Sequence, residues 1–567
     1  MSDNTPGSSS NAKAKLQMVL SRLLDGVSDD DLQKSRRKSM KWNCARASMA
    51  TTTTTTPPSS DPAVAALTPR AAPPDADVLA AVETALATHR AFGDSGYIRD
   101  QLAIAYRRRL HKLGSTLPEA ARLASLLDGA PPARQRQLLG DTVLRCAVQH
   151  AMRQLHLGDE YGLPLPQCAA LFQAASAHLD AGLPGGPLTA HLPDMARLYG
   201  EQPPQDNDTY LWHAWQEGTP YARAFLAVMD DNYGAPLATP TPQERTLLRR
   251  GLGLLETLLP RLTASALSHV QLVALFPKLG TWRGKASSSQ FRVNGSVFLN
   301  QELIGNPWWL AEHLLHESLH QKLYDFRHGH SLLAPDYARE DGAKVCSLWN
   351  APDDEGNHYW DAHRTLAAFH VYVHLALLCL LAEQQEAALS PQYGPIGQHM
   401  SGSRRAIDRA RYLGEQLQST TWPELGLAGR QMTHWLLDVL DALDTQRRPG
   451  GATVHLLLDL YERQSRKLDT YLAQQPPPRS ETLAAQAEQE LSLTREALHL
   501  LDKELPPSTQ AHEHNWPQAR QRVLQALWPL TEDDKLMERN GYPQAQALIA
   551  QMVQQSSRQL GALGALA

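Results

Sequence analysis

Cysteine is scarce in this chain of 567 residues. The five present (Cys44, Cys146, Cys168, Cys346 and Cys379) are widely spaced, and no two form a Cys-Xaa2-Cys pair. An odd, scattered set argues against a disulfide framework and a thiolate zinc site, and it fits a reducing cytoplasm. A basic excess is missing too. The formal net charge of −5 argues against a general nucleic-acid partner, which calls for a basic face. The first twelve residues are polar and include Ser8-Ser9-Ser10, so no secretory signal is visible. The most apolar run, Ala367–Ala382, has sixteen residues and contains His370 and His374. It is too short and polar to span a bilayer and is expected to be a buried helix, with no membrane partner. No internal repeat of fixed period is found. Apolar and charged contents of 42% and 20% are those of a soluble globular protein, and the length suits roughly two to four packed units.

Along the chain, residues 1–48 read as an appended or precursor-like peptide, or as an overlong start. Leu16, Val19, Leu20, Leu23 and Leu24 make a helical stripe, and a basic stretch, "KSRRKSMKWNCARASM", follows. Residues 49–75, rich in Thr, Pro and Ala, read as a disordered linker. A helical region is expected over 76–285, where Leu, Val and Ala recur at three-to-four spacing and Pro and Gly mark the breaks. A metal-site core is expected over 286–385 and a second helical region over 386–567. The one clear β signal is "QFRVNGSVFLN", residues 290–300, where Asn294-Gly295 predicts a tight hairpin turn. The expected fold is therefore mainly α, a multi-helix enzyme with one small β-hairpin beside the helix that bears the motif described next.

That motif is His316-Glu317-Ser318-Leu319-His320. Asn306-Pro307 is a good helix start, and a helix over Trp308–Phe326 stacks positions four apart, so both imidazoles can converge on one ion. Glu317 projects beside them. The third ligand decides the chemistry. A metzincin would need Gly and His where this chain has Leu323 and Phe326. A thermolysin-like peptidase takes a glutamate about twenty residues on, a spacing that Glu340 meets. Lys344, however, stands where such enzymes carry an aspartate to orient the first histidine. His370 and His374, again four apart on an apolar helix, are the other candidates.

The run "SVFLNQELIGNPWWLAEHLLHESLHQKLYDF" resembles the HExxH-motif peptide-modification proteins, Fe(II)- and 2-oxoglutarate-dependent peptide β-hydroxylases of ribosomal peptide biosynthesis. The resemblance covers Ser289 to Glu383. It includes Leu310-Ala311-Glu312, Lys322-Leu323, Tyr359-Trp360, Arg364 and His370. It implies Fe(II) held by His316, His320 and His370, with positions left open for 2-oxoglutarate and O2. Arg364 or Lys322 would pair with the far carboxylate of the co-substrate. Glu317 would position the site or touch substrate rather than serve as a base. A precursor peptide is the implied substrate, and residues 1–48 fit that part with Asn43 or a neighbour as target, tethered at high effective concentration. The alternatives are a zinc metallopeptidase with Glu317 as general base and Glu340 as third ligand, and a helical binding scaffold.

Overall fold

The structure is a computed structural model. It describes residues 74–562 apart from 159–161, 184, 191–196, 200–208, 214–218, 351–354, 446, 449, 475–480, 508–515, 533–535 and 537–539. The precursor-like peptide and nearly all of the linker lie outside the described residues. The fold is mainly α, with small sheets, as the periodicity predicts. Two compact units divide the chain: Pro74–Leu332 with Val373–Ser403, and Leu333–Tyr372 with Arg404–Ala567. Residues 286–385, expected to be a core of their own, are shared between these units.

The first unit begins with α1 (Ala76–Thr88), α2 (Ser95–Leu113), α3 (Pro118–Gly129), α4 (Pro132–Leu139), α5 (Thr142–Leu157) and α6 (Leu165–Asp180). Asp75, Asp94 and Asp141 each cap a helix by accepting a backbone N–H three residues on, which satisfies donors the helix cannot. Strand β1 (Tyr210–Leu211) and helices α7 (Pro220–Tyr233), α8 (Pro242–Leu258) and α9 (Pro260–Leu267) follow. Thr241 and Glu244 close a reciprocal capping box at the start of α8.

Next come β2 (Leu272–Phe276), β3 (Ser287–Ser288) and β4 (Ser296–Asn300), joined with β1 in a sheet of order β1-β2-β4-β3. β2 runs parallel to β4 from Leu272↔Ser296 to Phe276↔Asn300, and β3 pairs antiparallel to β4 through Ser287↔Leu299 and Ser288↔Phe298. Every residue of β2 and β4 is buried, as a parallel pair covered on both faces requires. Phe276 and Phe298 join Tyr106, Leu144, Phe172 and Trp282 in one core.

The hairpin therefore exists but not with the expected turn. Asn294-Gly295 sits at the end of a longer loop, and residues 290–293 are not a strand. The cause is competition for hydrogen bonds. The Gly295 carbonyl accepts from Gln271 and Leu272 at 2.8 and 3.0 Å, and its N–H donates to Gln321 at 2.7 Å. Gly295 turns into β4 with a φ of +80°, a conformation suited to glycine.

Helix α10 (Pro307–Gly329) is the longest wholly within this unit's first segment and packs on α2, α8, α9 and β4. The Asn306 side chain accepts from the N–H groups of Trp308 and Trp309, both at 3.0 Å. Gly251 of α8 lets the two helices approach closely, because a Cβ there would lie 2.8 Å from the Cβ of Leu310.

Helix α11 (Ala362–Tyr393) belongs to the second unit up to Tyr372 and to the first from Val373. Among the described residues it is the one helix long and apolar enough to cross a membrane, and 83% of its most apolar window is buried within the protein. In the second unit, β5 (Val345–Cys346) pairs antiparallel with β6 (Tyr359–Trp360). Its helices are α12 (Ser403–Ser419), α13 (Leu427–Leu443), α14 (Gly451–Gln474), α15 (Glu481–Leu500), α16 (Trp516–Leu527) and α17 (Tyr542–Ala562). The last four share a core that includes Leu458, Tyr461, Leu498, Val523 and Met552.

Candidate metal centre

Most faces of α10 are buried, because the helix is wedged between other helices and the sheet. His313, His316 and His320 are half-buried, while Leu314, Leu315, Glu317, Ser318 and Leu319 between them are buried. The Nε2 atoms of His316 and His320 lie 3.2 Å apart. Two nitrogens bound to one ion at about 2.1 Å are roughly 3.0 to 3.4 Å apart for octahedral to tetrahedral angles, so the spacing suits a shared metal. Burial drives His316 down to about 4, against the Glu312 carboxylate, which favours the charged form. A neutral imidazole with a free lone pair is the form a metal takes up.

Glu317 completes the cluster. Its carboxylate and the two imidazoles offer ligand atoms within 4.8 Å of one another, the one such group of three or more His, Cys, Asp or Glu among the described residues. Both of its oxygens are already engaged, by the hydroxyls of Ser287 at 2.6 Å and Ser289 at 2.5 Å. Ser287 and Ser289 are two apart at β3, so both side chains face α10, while Ser288 turns to the Tyr233 hydroxyl at 3.2 Å. Burial pushes the Glu317 carboxyl above its ordinary range, and the two serine hydroxyls oppose that shift. These serines had no motif to mark them; only the packing of β3 on α10 reveals them.

Lys322 does not lie with the pair. It follows His316 by six residues, roughly 240° further round the helix, and its ammonium donates to the Gly93 carbonyl at 2.6 Å and to Ser265 Oγ at 2.7 Å. Burial drives its pKa down to about 7. Its role here is to clamp α10 to the α1–α2 loop and to α9. One turn further on, Asp325 is held between Arg145 and His269, with the imidazole at 2.7 Å.

His374 is fully buried in the same unit but stands outside the three-residue cluster. His370 is buried in the second unit. Arg364, also there, donates to Asn357 Oδ1 at 2.9 Å and lies 4.8 Å from the centre of the Trp360 ring. Glu340 is exposed in a turn of the same unit. No protein-family model and no curated protein matches the chain.

Proposed function

We propose that the chain is an Fe(II)- and 2-oxoglutarate-dependent hydroxylase acting on a β-carbon of a ribosomally made precursor peptide. The observation that carries this reading is the pair of serine hydroxyls on Glu317. A hydrolytic base gives a carboxylate oxygen over to a metal-bound water, and here each oxygen already accepts a serine hydroxyl that ties the helix to β3. The paired Nε2 atoms at 3.2 Å fit a metal, and the resemblance of the α10 sequence to peptide β-hydroxylases supplies the reaction class.

His316 and His320 would hold the iron, with His370 the third ligand that the resemblance implies. Bound there, iron with 2-oxoglutarate and O2 supplies hydroxylation of a C–H bond, with succinate and CO2 as co-products. The chain's own residues bind and orient. Glu317, through Ser287 and Ser289, fixes the register of α10 on the sheet. Arg364 would pair with the far carboxylate of 2-oxoglutarate, as the resemblance implies; Lys322, the other candidate, donates to Gly93 and Ser265. Residues 1–48 of the same chain are one candidate substrate.

One observation keeps a zinc peptidase as the second reading: Glu317 lies within 4.8 Å of both imidazoles. Metal analysis after anaerobic purification decides between the two. Bound iron, with succinate formed from 2-oxoglutarate, is the expected result; tight zinc with cleavage of an unstructured peptide would sink the hydroxylase. His370→Ala should abolish metal binding and Glu340→Ala should not. Mass spectrometry of the released N-terminal peptide should find a gain of one oxygen within residues 40–48. Its absence would remove the tethered substrate.

A further inference from the structure

The face of α10 that carries His316 and His320 holds a third imidazole, which the HExxH motif does not assign. His313 lies one turn before His316, and positions 313, 316 and 320 share a stripe on a helix of 3.6 residues per turn. Trp309 and Tyr324 extend the same stripe at either end. His313 Nδ1 is 2.9 Å from the carbonyl oxygen of Trp309. A carbonyl only accepts, so Nδ1 carries the hydrogen and Nε2 keeps its lone pair. Stacking on the Trp309 ring, at 4.2 Å between centroids and 20° between planes, clamps the imidazole in that pose. Its plane is within 15° of His316, with ring centres 6.4 Å apart.

His313 thus has the fixed tautomer and orientation usual for a metal-ligating histidine, yet it stands outside the three-residue cluster. Its Nε2 is therefore an acceptor on the helix face that carries the His316–His320 pair, one turn from His316. We propose that His313 is a ligand-positioning residue whose Nε2 accepts a hydrogen bond from an N–H of the molecule bound at the metal. In the hydroxylase reading that donor is a peptide amide next to the carbon being oxidised. The identity of the donor rests on the proposed function, but the hydrogen bond is tested without it.

The full-length chain is loaded with Co(II) and titrated, by the cobalt visible bands, with acetohydroxamate and with N-methylacetohydroxamate. These chelators bind through the same two oxygens and differ in a single N–H. His313→Ala should weaken acetohydroxamate about tenfold and its N-methyl analogue less than about twofold, the size expected for one lost hydrogen bond. Cobalt affinity should not change. His313→Gln, which offers a side-chain carbonyl, should recover most of the acetohydroxamate affinity. Equal weakening of both chelators, weakening of neither, or loss of cobalt would overturn the proposal. A wild-type chain that binds cobalt but forms no succinate with iron would end the hydroxylase reading and leave this comparison standing.

Discussion

Removing the two serine hydroxyls from Glu317 should cost more while position 317 carries a charge, and a double-mutant cycle measures that difference. In the structure each carboxylate oxygen accepts one hydroxyl, at 2.6 and 2.5 Å, in a buried setting. A hydrogen bond to a charged group is worth about 1.5–3 kcal/mol, so Ser287→Ala with Ser289→Ala would cost at most about 6 kcal/mol. The loss is capped because a stripped carboxylate protonates, and burial already raises this one. About 3 kcal/mol is therefore the expected cost at pH 8. In the Glu317→Gln background both contacts are neutral, one serine donating to the amide oxygen and the other accepting from the amide nitrogen, about 1 kcal/mol each, and the serine changes should cost about 2 kcal/mol. Urea unfolding followed by tryptophan fluorescence reads the difference as a coupling of about 1 kcal/mol. Additivity within about 0.5 kcal/mol, the behaviour of independent sites, would refute the clamp. Activity supplies the second arm. Glu317→Gln should leave peptide hydroxylation within about tenfold, because loss of a general base costs about 10²–10⁴ in rate. A fall beyond about 10² with iron retained would mean that the carboxylate moves a proton.

Three further outcomes follow from the packing. Gly251→Ala should destabilise the chain by about 1–3 kcal/mol through overlap with Leu310, and Leu310→Ala should relieve part of it; thermal unfolding checks both. Asp325→Ala leaves the buried Arg145 without its carboxylate partner and should cost about 3–5 kcal/mol; a melting temperature unchanged from wild type would contradict the buried pair. Burial raises Glu490 to about 7, although Tyr461 and Gln486 donate to it at 2.7 and 2.9 Å. Its folded value lies above its unfolded one, so its contribution to stability is complete below about pH 4.5 and is lost as pH rises through 7, about 3 kcal/mol in all. Glu490→Gln should flatten that dependence and be the more stable form at pH 8 in guanidinium unfolding.

The helical class and the metal-motif helix were legible because both are local. Three-to-four apolar spacing, Asn306-Pro307 at the start and two histidines four apart need no partner from elsewhere to be read. The same periodicity makes His313 visible, since "HLLHESLH" repeats the imidazole one turn earlier, and it turns Lys322 away from the pair. β2 was not legible. "LVALF" is a continuous apolar run, and a strand buried on both faces lacks the alternation that would separate it from a helix.

Sequence by itself determined which residues are able to hold a metal, because their helical spacing puts His316 and His320 side by side whatever surrounds them. Tertiary structure alone decided which groups Glu317 touches. Ser287 and Ser289 are some thirty residues away and carry no pattern that points to a carboxylate. They reach it only because β3 pairs with β4 and the sheet packs on α10. The chemistry open to a buried carboxylate depends on which donors occupy its oxygens, and those donors are brought by packing rather than by spacing along the chain.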